Sequence, residues 1–168
     1  MWQAYSAREP VQAFVLITTM MREQYHYSWA VSATEAFYFA RAAVKFRDTR
    51  GNYEDAVLPD LEHGYATALL WTHAEFDPRQ VARAELASWV ARRTGGRNNA
   101  EQVGRLLAAE YALLYGVPRE RVLKAALLRA RAAALRDVET QRPDWDEIDR
   151  LLRESYGDLQ AGLSTTAG

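Results

Sequence analysis

Apolar positions recur at three- and four-residue intervals along almost the whole chain, and no stretch alternates apolar with polar residues long enough to make a strand. This periodicity predicts α-helices near 10–29, 33–48, 53–73, 79–95, 99–115, 119–140 and 144–162. The intervals between them carry turn chemistry: "TRGN" at 49–52, "EFDP" at 75–78, "TGGRN" at 94–98, "YGVP" at 115–118 and "QRPDW" at 141–145. Asp77-Pro78 reads as an N-cap followed by proline at the first helical position. Asn98-x-x-Glu101 has the form of a capping box with Asn as the cap. The expected fold is therefore all-α, a single helical bundle of six or seven helices over residues 1–168.

The helix faces sharpen this picture. On the helix near 53–73, Val57, Leu58, Leu61, Gly64, Tyr65, Leu69 and Trp71 form the core arc, with Asp60 at its flank and His63 opposite its centre. On the helix near 33–48 the inward row is Glu35–Phe39–Ala42–Phe46, and Thr34, Tyr38, Arg41, Lys45 and Asp48 take the other side. Phe37 and Val44 lie well away from that row. The apolar surface is thus too wide for one neighbour and points to contact with a second element or a protein partner.

Residues 40–65 and 130–156 echo each other weakly. Arg47-Asp48 corresponds to Arg136-Asp137, Tyr53-Glu54 to Trp145-Asp146, and Tyr65 to Tyr156; upstream, Glu23 falls opposite Glu110. Such a repeat would make two related three-helix units, 10–73 and 99–162, joined by the helix at 79–95.

Composition narrows the function classes. The 168 residues are 49% hydrophobic and 26% charged, as in a globular domain, and the formal net charge is only −1. No global field draws such a chain to nucleic acid or to an anionic membrane surface. The absence of cysteine excludes disulfides, thiolate catalysis and zinc–thiolate sites. The first residues lack a basic n-region and a long apolar run, and "AFVLITTMM" is about half a membrane span, so a cytoplasmic location is expected.

Two acid-x-x-His pairs, Glu23/His26 and Asp60/His63, have the spacing by which a helix presents two ligands to one ion. With Glu35 they are the candidates for a ferritin-like di-iron or di-manganese centre. Their order along the chain does not match that pattern, and both pairs lie on the polar side of their helices. The expectation is solvated surface, with no cofactor favoured. His73 reads as a C-terminal helix residue.

Glu35 differs, because it falls on the apolar seam of its helix, where a carboxylate is costly unless paired or protonated. In the echoing segment the matching row is Lys124–Leu128–Arg131–Leu135. A partly buried pairing of Glu35 with Lys124 or Arg131 is expected on that basis. Arg92, Arg93 and Arg97 around Gly95-Gly96, ahead of a helix N-terminus, form a candidate anion site, although the GK[ST] ending of a phosphate-binding loop is missing.

No Ser/His/Asp set, acidic metal motif or glycine fingerprint is present, and three histidines leave little for acid–base catalysis. The alanine-rich helix at 119–140 can approach a neighbour closely. The sequence points to a non-catalytic interaction or scaffold protein that forms a homodimer or binds a protein partner through apolar helix faces. The alternative is a helical-bundle enzyme holding two metals or another cofactor.

Overall fold

In the computed structural model, which describes Thr18 and residues 28–70, 74–95, 99–137 and 143–164, the first long helix begins where Ser28 caps it. The Ser28 hydroxyl accepts the Val31 N–H at 3.3 Å. This helix, α1 (Trp29–Asp48), therefore starts four residues before the predicted position. The turn after it contains Gly51 at φ 104°, a conformation that suits glycine. The predicted helix near 53–73 is interrupted: a single turn, α2 (Tyr53–Ala56), is followed by α3 (Leu58–Leu69). Pro59 is the cause, since it has no N–H for the Asp55 carbonyl and is tolerated only in a helix's first turn.

The remaining helices are α4 (Pro78–Gly95), α5 (Ala100–Tyr115), α6 (Arg119–Arg136) and α7 (Trp145–Ser164). Among the described residues there are seven helices and no strand, so the all-α reading holds. Asp77 caps α4 as the sequence predicts, accepting from the Arg79 N–H and the Gln80 amide at 2.9 Å each. The residue preceding α5 is Asn99, one position after the predicted cap; its amide donates back to the Ala91 carbonyl at 2.9 Å. Asn98 lies outside the described residues. Gly116 ends α5 in the left-handed conformation at φ 63°, and the Val117 N–H reaches the Ala112 carbonyl. Asp144 accepts from the Glu147 N–H at the start of α7.

The chain divides into two compact units, Met1–His73 and Ala74–Gly168. In the first, α3 lies along α1, and α2 touches both. Gly64 of α3 makes room for the Phe39 ring of α1, since a Cβ there would stand 3.0 Å from it. The Phe39 ring meets Tyr65 edge-on at 5.2 Å, and Phe46 meets Tyr53 at 5.0 Å. Val57, Leu58, Leu61, Gly64 and Tyr65 are buried, as their periodicity predicts; Leu69 is half-buried and Trp71 lies outside the described residues.

In the second unit α5, α6 and α7 follow one another in contact, and α4 packs along α5. The helix expected as a connector is thus part of this unit. The alanine face of α6 is covered inside it: Ala126 packs with Ala108, Tyr111, Val117 and Val122, and Ala130 with Ala91 and Val103. Those alanines are therefore not a surface open to a second copy. Small residues let the backbones close up. A Cβ on Gly104 would come within 2.7 Å of the Leu127 side chain and 2.9 Å of its Cα, and one on Gly162 would run into the Arg121 carbonyl. Ser155 fixes the register of α7 by donating to the Ala125 carbonyl at 2.8 Å, with Ile148 and Leu151 buried on the same face.

Gly104→Ala should destabilise the second unit by about 1–3 kcal/mol, because part of the clash is with backbone. Gly157→Ala, on exposed helix surface with nothing within 4 Å of the new methyl, should instead stabilise it by about 0.5–1 kcal/mol. Urea unfolding of the full chain checks both signs.

Candidate functional site

Asp60 departs furthest from its predicted place. The face assignment put it at the flank of α3, among solvated residues; it is 1% exposed. Its carboxylate takes Arg41 Nε at 2.9 Å and Nη2 at 2.5 Å, and Lys45 Nζ at 2.9 Å. Arg41 and Lys45 are four apart on α1, so their ends converge on one point of α3. Burial raises the carboxyl's pKa, but the Arg41 and Lys45 bonds outweigh it and hold the group below the usual carboxylate range. Both cations keep 42% of their side-chain surface exposed while the acid keeps 2%. Two positive charges thus meet on one hidden negative charge at the edge of the helix pair.

Aromatic rings extend this edge. The Arg41 guanidinium lies 5.1 Å from the Phe37 ring centre and 5.2 Å from that of Tyr38. Tyr38 stacks on His63 at 5.2 Å and 18°. His63 is exposed, as predicted, and its Nδ1 faces the Pro59 carbonyl at 2.6 Å, so Nδ1–H is the donor. Asp60 and His63 thus have separate partners, and both Asp60 oxygens are held by cations. Among the described residues no three His, Asp or Glu side chains come together as a metal site. Glu23 and His26, the other members of the di-metal alternative, lie outside the described residues, as does His73.

The outer face of α1 is apolar. Trp29 is 55% exposed, Phe37 50% and Val44 48%. At 100° per residue these three, with Ala33 and Ala40 between them, fall within about 80° of helix circumference. The predicted wide apolar surface is present, and its outward half is open to solvent.

Glu35 is 6% exposed on the opposite, inward side, beside the fully buried Ser32. Ser32 Oγ and Glu35 Oε2 have no hydrogen-bond partner among the described residues. Burial without a compensating bond pushes the Glu35 carboxyl up to about 7.

The proposed basic partners of Glu35 are placed differently from their predicted seam. Lys124 is exposed and reaches Asp158 at 3.0 Å and Glu154 at 3.7 Å on α7, and Arg131 is exposed as well. The register of α6 is the reason: its inward arc is Val122, Ala125, Ala126 and Ala133, which leaves Lys124 and Arg131 on the outer side. The basic group that this helix does enclose is Arg129, which the sequence reading passed over. Arg129 as a whole is half-buried, but its charged end is enclosed. Tyr111 is the first of the groups that raise its pKa, burial works the other way, and Tyr156, Glu110 and Glu85 add to the rise. Burial likewise raises Tyr111, against the pull of Arg129. One side chain from α4, two from α5, one from α6 and one from α7 thus share a polar centre in the second unit. The signal for it in sequence is an arginine in phase with buried alanines.

Of the candidate anion site, Arg92 pairs with Asp137 at 3.0 Å, Arg93 is half-buried, and Arg97 lies outside the described residues. No helix among the described residues is long and apolar enough to cross a membrane. Neither the family models nor the curated proteins nor the solved structures contain a match to this chain.

Glu35 and Asp60, both buried in the first unit, should show opposite pH behaviour. Glu35 binds its proton more tightly folded than unfolded, so stability falls as pH rises from 4.5 to about 7 and stays low above, a loss on the order of 3 kcal/mol. Glu35→Gln should remove that slope and stabilise the protein at pH 8. Asp60 is depressed, so its contribution is present above the unfolded pKa of 3.8 and lost as pH falls through the lower folded value. Asp60→Asn should cost about 1–3 kcal/mol at neutral pH. Urea unfolding across pH 3–8 distinguishes the two; a wild-type-like slope in Glu35→Gln would contradict the assignment.

Proposed function

We propose that the protein is a non-catalytic helical interaction module that docks a protein through the outer face of α1. The observation behind the reading is the exposure of Trp29, Phe37 and Val44 on one stripe of a helix whose other side is anchored to α3. Large side chains placed outward on a rigid element, with small ones between them, make the ridge and hollows that a partner helix fills. The anchor matters: the Asp60 bonds and the Phe39–Gly64 contact hold α1 so that the stripe is presented without an ordering cost on binding. The reading covers a second copy of the chain as well as a different protein.

A photo-crosslinking amino acid at position 37 should yield a covalent protein adduct in cells, whereas the same group at the exposed Arg83 of α4 should not. Phe37→Glu combined with Val44→Glu should abolish the adduct formed from a crosslinker at position 33, with little change in helicity or unfolding midpoint. Crosslinking no stronger at 37 than at 83 would overturn the reading.

A further inference from the structure

We draw no further inference here: the strongest candidate, the exposed apolar surface patch of Trp29, Phe37 and Val44 on α1, belongs to the site already described, and nothing in the structure shows what covers it.

Discussion

The first unit depends on one buried carboxylate. Asp60 has almost no contact with water, so it is stable there only while Arg41 and Lys45 reach it. That requirement fixes the rotation of α1 against α3. With Arg41 and Lys45 turned onto α3, Phe39 falls over Gly64, Glu35 and Ser32 turn inward, and Phe37 and Val44 turn out. The exposed apolar stripe is therefore a consequence of the ion pairing along its edge. A hydrophobic interface alone would have allowed α1 to roll and bury Phe37; the charges forbid it.

The second unit reaches its definition by another route. Glycine, alanine and serine bring α5, α6 and α7 close together, and close backbones tolerate few registers. Within this tight packing Arg129 is enclosed with Tyr111, Tyr156, Glu110 and Glu85. An enclosed guanidinium that draws on groups from three neighbouring helices is costly to misplace, and so it acts as a register pin more than as a source of stability.

Both units thus hold buried charge, yet the chemistry differs in kind. In the first, an acid is satisfied by two cations whose outer surfaces stay wet beside an apolar face. In the second, the basic group is the one enclosed. The first arrangement borders the exposed stripe of α1, and the functional proposal rests on that stripe and not on the polar centre around Arg129.

Period and turn chemistry by themselves determined the helices, most of their ends and the apolar arcs of α1 and α3. These are local properties: side chains 3.6 residues apart share a face, and Asp-Pro or Gly at a helix end acts within one turn. They also sufficed to mark Glu35 as inward and Phe37 and Val44 as surplus to the core. Pro59 was a local signal as well, and reading past it merged α2 with α3. What only the tertiary structure decided was which flank residues go under. Asp60 sits at the border of its apolar arc, where a wheel assigns solvent and core with equal ease, and Arg129 falls in phase with the buried alanines of α6, where a wheel shows no partner for it. Asp60 is buried because two cations from another helix meet it, and Arg129 is enclosed because three neighbouring helices bring acids and tyrosines around it. A helix's own periodicity carries no information about what a neighbouring helix brings to a charged side chain, and both polar centres depend on that.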